Sequence, residues 1–329
     1  MGGLRKVYLS LVLAVVVYTV LVLASDAGRV ADAVGAVDPR WIPVFLLLPL
    51  GNYFIRFLKW QYFLRRIGLH IGFLRSLRVF VSGFAMTVSP GKLGELLKCY
   101  LLRDGEGAPV ARTSPVVIAE RITDLLSMVL VAVAGVLLAG GYRYMAAAAA
   151  GLVLCVLAMY VLLHPVAFRR LSGLLCRIPP LGRKRDRLDE FRESCTSLLD
   201  PASLLVTVPL GVVSWGMEAL VLCAVAASIG RSLPVGTALL AHSAGSIAGA
   251  VSMIPGGLGL TEVTIDGILS GSLGISDATA VTLVMRFATL WFAVLLGVAT
   301  LALTGRRRCS PSSLPDDAAA GGAKPEHGE

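Results

Sequence analysis

Two arginines stand in stretches that are otherwise built for oil. Arg121 lies in AERITDLL and Arg286 in VMRFATLW, each inside a long hydrophobic run. An arginine at a bilayer centre costs roughly 2.5–3.5 kcal/mol on insertion scales, so each must face protein or water. Its planar fork of donors suits phosphate or carboxylate in a two-pronged contact. Arg121 has a local partner, because Asp124 is three residues on and shares its helical face, as Glu120 shares one with Asp124. A salt bridge is therefore a sufficient reading for Arg121. Arg286 has no acidic residue within four positions, which favours a ligand or a distant partner.

A second set of residues offers backbone chemistry. IPGGLGLTE at 254–262 places Pro255, Gly256, Gly257 and Gly259 in one of the most apolar regions, with Glu262 just after. SPGKLGE at 89–95 repeats the pattern with Pro90, Gly91, Leu93, Gly94 and Glu95. Proline is tolerated in the first turn of a helix, where its missing N–H has no partner anyway. Glycine lets other atoms approach the backbone. The helix start that follows presents N–H groups and the positive end of a dipole to a phosphate or carboxylate. The plainer alternative is a tight turn in a packed bundle. Glu262 and Asp266 share a face, Glu95 and Lys98 can pair, and Glu218 in WGMEALVL has no neighbour in sequence to pair with. Glu262 or Glu218 would hold a cation, carry a proton or bind Arg286. His242 reads first as a hydrogen bonder between helices and second as a proton relay. Arg56 and Trp60 read as anchors at the inner membrane interface.

The elements that must position these residues are membrane helices. The chain has 329 residues, 56% hydrophobic and only 16% charged, against about 25% charged in soluble domains; mean hydropathy is +0.78. A bilayer core needs roughly 20 apolar residues per helix, and segments 7–24, 41–58, 114–139, 145–163, 203–228 and 281–303 come close to that or exceed it. The expected fold class is all-α: a polytopic membrane protein with about six full spans. The first span is longer than the hydrophobic part of a cleaved signal and reads as retained. Six scattered cysteines and four dispersed histidines give no disulfide framework, metal cluster or cofactor site. The net charge of +9 is carried by loops of a membrane protein, so nucleic acid is not the expected partner.

Basic residues cluster before the first span, across 59–112, across 164–200 and after residue 305. The positive-inside rule puts all four on the cytoplasmic side, both chain ends and Cys195 included. Parity then requires the chain to enter and leave on one side at 73–102 and again at 235–272, as re-entrant or paired short helical hairpins. The 164–200 segment reads as a solvated cytoplasmic loop, with an amphipathic helix on anionic lipid as the sharper alternative. Residues 306–329 are small, polar and rich in Pro and Gly, and read as a disordered cytoplasmic tail.

Pro90 and Pro255 are 165 residues apart, and so are Arg121 and Arg286. The recurrence of both features at one offset predicts an internal repeat, with halves at about 41–139 and 203–303 inside a transmembrane domain of residues 1–305. The topology makes the second half an inversion of the first. Inverted repeats with broken helices are a transporter architecture whose site lies near the midplane.

Pro90-Gly91-Lys92-Leu93-Gly94-Glu95, then Glu120-Arg121 with Asp124, then Ile254-Pro255-Gly256-Gly257-Leu258-Gly259 with Glu262, together resemble the flippase-like transmembrane family that forms the N-terminal part of lysylphosphatidylglycerol synthases. Arg56 and Trp60 fit as well, and the resemblance runs from about residue 5 to 305. It implies movement of an aminoacylated phospholipid or a polyprenol-linked lipid across the cytoplasmic membrane. The full synthases continue into a soluble aminoacyl-transferase domain; here about 24 residues follow the last helix, so this chain is expected to handle lipid and not to be an enzyme. The implied partners are membrane lipids with an anionic head group or lipid-linked phosphate. The expected binding residues are Arg286, Arg121, Glu262, Glu95, Gly91, Gly256, Gly257 and Glu218. A membrane-embedded transferase acting on a lipid-linked substrate, or a transporter of small polar solutes, stands as the alternative.

Overall fold

The computed structural model describes residues 26–89, 95–140, 145–175 and 185–308, together with part of 16–23. Among the described residues every regular element is helical. Four of the described helices are long and apolar enough to cross a membrane: Pro39–Arg66, Val110–Ala139, Pro201–Ser228 and Ile275–Leu303, of 28, 30, 28 and 29 residues. At 1.5 Å per residue each exceeds the ~30 Å hydrocarbon thickness. Of the other two expected spans, 145–163 is helical throughout as Met145–Leu163, and 7–24 falls largely outside the described residues. So do Gly91 with the rest of 90–94, and the tail from 309.

In chain order the helices are α1 (Ala27–Gly35), α2 (Ile42–Arg66), α3 (Phe73–Gly83), α4 (Leu97–Glu106), α5 (Val110–Ala139), α6 (Met145–Leu163), α7 (Pro165–Leu175), α8 (Arg185–Leu198), α9 (Pro201–Ser228), α10 (Val235–Val251), α11 (Leu260–Leu273), α12 (Ile275–Arg286) and α13 (Phe292–Arg308). A π-helical turn, Phe287–Trp291, joins the last two into one rod. Local signals set many ends. Asp200 caps α9 by accepting the Ser203 N–H at 2.9 Å, with Pro201 in the first turn. Gly107 and Gly140 end α4 and α5 in the left-handed conformation.

The helices touch where side chains are smallest. A Cβ on Gly135 of α5 would lie 2.5 Å from the Leu240 backbone nitrogen of α10, and one on Gly236 would lie 2.6 Å from that of Ala139. Such close approach is how membrane helices gain contact without a hydrophobic driving force. It also fixes direction: α10 begins beside the end of α5 and runs antiparallel to it. Likewise Gly297 of α13 abuts the backbone of Phe84 and Ala85 just after α3. Asn52 of α2 ties to α9 through two 2.9 Å bonds to Ser214.

Two expectations change here. The helix expected to end near residue 58 runs on to Arg66, so Lys59 is not a loop charge; its side chain is 1% exposed. The 164–200 segment contains two helices, and α8 packs inward: Cys195, Leu198 and Leu199 are buried. Arg66 holds this end by donating to the Ser197 carbonyl at 3.1 Å and to Asp200 at 2.7 Å.

Candidate functional site

The break at 254–259 is a built turn. Met253 has φ 56°, and Gly256, Gly257 and Gly259 have φ of 63°, 68° and 91°. At Gly257 a Cβ would also meet the Thr261 hydroxyl at 2.5 Å and Gly249 Cα at 3.0 Å. Glycine is required there for both conformation and space. α10 before the turn has 17 residues and α11 after it has 14, each short of the ~20 needed to span.

Glu262 is the hinge of the arrangement. Its Oε2 accepts the Gly259 N–H at 2.7 Å, and its Oε1 accepts from Arg286 Nε at 2.6 Å. Arg286 Nη2 donates to the Gly256 carbonyl at 2.8 Å. One arginine thereby clamps both sides of the break. Directly after Arg286 the π turn loosens the regular backbone bonding, and Tyr53 donates to the Thr289 carbonyl at 2.6 Å. π turns recur at functional sites for this reason. The start of α11 is therefore capped from within by Glu262, which corrects the expectation that the N–H groups after Pro255 are all left for a ligand.

Arg121 is held by carboxylates of its own half. Its Nε lies 3.0 Å from Glu95 and its Nη2 3.1 Å from Asp124, at angles that make ion pairs without hydrogen bonds: both nitrogens, like Arg56 Nε, lack a hydrogen-bond partner. Asp124 also accepts from Lys59 at 2.7 Å and lies 3.8 Å from Arg56. Lys98 donates to Glu120 at 2.6 Å and lies 4.5 Å from the Trp60 ring centroid. The expected Glu95–Lys98 pair is thus replaced by Glu95–Arg121 and Lys98–Glu120. Arg56 and Trp60 are not interface anchors. Trp60 is fully buried, and Arg56 stacks over Trp215 at 5.0 Å.

These groups surround a cavity of about 110 Å³. A water needs roughly 10–15 Å³ on this measure, so the space suits several waters or one phosphate-sized group, not a whole lipid. Arg286, Arg121, Glu95, Glu218, Gly256 and Gly257 all line it, as expected from sequence; so do Arg56, Lys98 and Trp215, which were not foreseen there. Glu262 stands behind Arg286, wholly buried. The signal for Arg56 was present, because Asn52, Arg56 and Lys59 fall at i, i+4 and i+7, a polar stripe on one face of α2. Among the described residues the cavity and its walls hold five cationic groups (Arg56, Lys59, Lys98, Arg121, Arg286) and five carboxylates (Glu95, Glu120, Asp124, Glu218, Glu262). His242, expected to bond between helices, is 2% exposed with both ring nitrogens unpartnered.

Long apolar helices, the short helices α10 and α11 joined by a glycine turn, and a buried charged cavity beside that turn define a polytopic helical membrane protein with an intramembrane polar site. The chain belongs to the family described as the lysylphosphatidylglycerol synthase TM region, whose model matches residues 8–297. It is 24% identical over 325 residues to a UPF0104 membrane protein of Methanothermobacter thermautotrophicus, covering 90% of this chain and 94% of the relative. It is 23% identical over 336 residues to a UPF0104 membrane protein of Pyrococcus horikoshii, covering 94% of this chain and all of the relative.

Proposed function

We propose that this protein moves a phospholipid or polyprenol-linked lipid across the cytoplasmic membrane, passing the anionic head group through the cavity while the acyl chains stay in the bilayer. The observation that carries the reading is one cavity lined by Arg121 and Arg286, by Gly256 and Gly257 of the glycine turn, and by Thr87 and Glu95 on either side of 90–94. Three guanidinium nitrogens there make no hydrogen bond, and phosphate oxygens are their natural acceptors. The cavity size fits a head-group phosphate. The resemblance to a lipid synthase's membrane region points to the same class of substrate.

The pairs around residues 73–102 and 235–272 act as hairpins that enter the membrane and return, one in each half of an inverted repeat. Reciprocal packing supports this: α10 of the second half lies on α5 of the first, while the end of α3 lies on α13. Each of the two arginines also pairs with the glutamate that follows the Pro-Gly motif of its own half, Arg121 with Glu95 and Arg286 with Glu262. Both chain ends face the cytoplasm, by the distribution of loop charge.

Lipid translocation in reconstituted vesicles, normalised to folded protein, tests the reading. The wild type accelerates exchange of an anionic lipid between leaflets and Arg286→Ala does not. Equal rates for protein-containing and empty vesicles, across anionic phospholipids and polyprenyl phosphates, would refute it.

A further inference from the structure

We propose that His242 binds a proton that accompanies the anionic head group into the cavity, making transport proton-coupled; this rests on the lipid reading above. The starting point is charge balance. The described residues set five cations against five carboxylates there, so a bound phosphodiester adds one negative charge to groups that otherwise balance. An uncompensated charge in such surroundings is strongly disfavoured. A proton arriving with the anion restores neutrality.

His242 is placed to take it. It lies one turn before Ser246, which lines the cavity, and its ring stacks on Trp215 with centroids 6.1 Å apart. Neither ring nitrogen has a hydrogen-bond partner, although the residue is almost wholly buried. Buried groups of this kind are normally satisfied. The charged and titratable neighbours are few. From α12 Arg286 acts on the imidazole through its charge. From α11 come Glu262, bound to Arg286, and Asp266 one turn beyond. From α9 comes Trp215, with Glu218 in the next turn. From α5 the neighbours of Trp215 are Met128 and Val131, which do not titrate.

A polar stripe leads away from the cavity along α12. Thr282, one turn before Arg286, is 1% exposed with an unpartnered hydroxyl. Thr279, in the turn before that, donates to Asp266 at 2.9 Å. The stripe ends toward Gly274, at a surface pocket lined by Arg231 and Asp277. A proton taken from water at that end reaches Nδ1 or Nε2 of His242 and returns to water when the head group leaves; no covalent bond changes.

Coupling follows from Coulomb's law. Burial first, and then the Arg286 cation, oppose an imidazolium at this position. An anion seated on Arg286 offsets the second of these, so head group and proton each favour the other's binding, by the same factor in both directions.

Short-chain phosphatidylglycerol added to the solubilised protein in weak buffer at pH 7 tests this, since its phosphodiester does not titrate there. The wild type is expected to take up about one proton per lipid bound, and His242→Gln to bind lipid with none. In vesicles, one pH unit across the membrane should change the wild-type rate by up to about tenfold, the ratio of proton activities. His242→Gln should move lipid more slowly without a gradient and lose the response to one. If that variant does not fold, the wild-type uptake and gradient measurements decide. Lipid binding without proton uptake, or transport indifferent to the gradient, overturns the coupling and leaves the lipid reading intact. A wild type that neither binds nor moves lipid overturns both.

Discussion

Arg286 and Glu262 are 24 residues apart in the chain and 2.6 Å apart in space. The same carboxylate caps Gly259, so the ion pair joins the arginine helix to the broken one. Removing either partner does more than free a charge: it releases the turn that shapes one wall of the cavity. Glu262→Ala leaves Arg286 buried without its counter-ion, and the expected loss is about 3–5 kcal/mol of stability. Arg286→Lys keeps the charge but not the fork that reaches both Glu262 and Gly256. It should recover part of the transport lost in Arg286→Ala. Thermal unfolding in detergent, run beside the vesicle assay, separates the two effects; full activity in a folded Arg286→Ala protein would remove this residue from the mechanism.

Arg121 is braced differently. Without it Asp124 still has Lys59 at 2.7 Å, so Arg121→Ala should unfold less readily than Glu262→Ala. Its transport should fall by about 10- to 100-fold, the worth of hydrogen bonds to a charged group. A variant as unstable as Glu262→Ala with normal transport per folded molecule would mark Arg121 as purely structural.

Gly257→Ala combines a left-handed φ of 68° with a methyl 2.5 Å from the Thr261 hydroxyl. The conformation alone costs about 1–2 kcal/mol. Gly267→Ala, in open space on α11, should instead be neutral or stabilise by up to about 1 kcal/mol. Melting curves of the pair report on the turn against the helix, and similar values for both would mean that the turn tolerates a side chain.

Val88 lies 3.4 Å from where a Cβ on Gly256 would stand, and it packs in one apolar group with Leu258 and Ile254. Cysteines at Val88 and Leu258 should therefore be joined by a short bifunctional maleimide in membranes, giving a band of altered mobility. No cross-link in a protein whose single cysteines both react would separate the two breaks.

Cys195 faces the interior of the α8 packing, and burial pushes its thiol up to about 12. Thiolate is the reactive form, so at pH 8 Cys195 should stay unlabelled on either side of the membrane until the protein unfolds. Glu193 is exposed two residues earlier. A cysteine at Glu193 should react with an impermeant maleimide in inverted vesicles and not in intact cells. Labelling from outside would reverse the assigned topology.

The sequence by itself determined that this is a helical membrane protein, and it marked the break at Pro255–Gly259 and the buried arginines. Those signals are local: apolar length, glycine beside proline, and a guanidinium that hydrocarbon cannot solvate. It also marked Arg121 and Asp124 as partners, because three residues on one helix is a fixed distance. What the tertiary structure decided is which charge neutralises which. Glu95 answers to Arg121 and not to Lys98, Lys98 reaches Glu120, and Lys59 turns from loop to core through Asp124. Arg56 stands on the cavity wall and not at the interface, with Asp124 of α5 beside it and Trp215 of α9 over it. Pairing between helices depends on rotation and register, which small-residue contacts such as Gly135 with Leu240 set. Those contacts are properties of two surfaces meeting, and neither segment carries them alone.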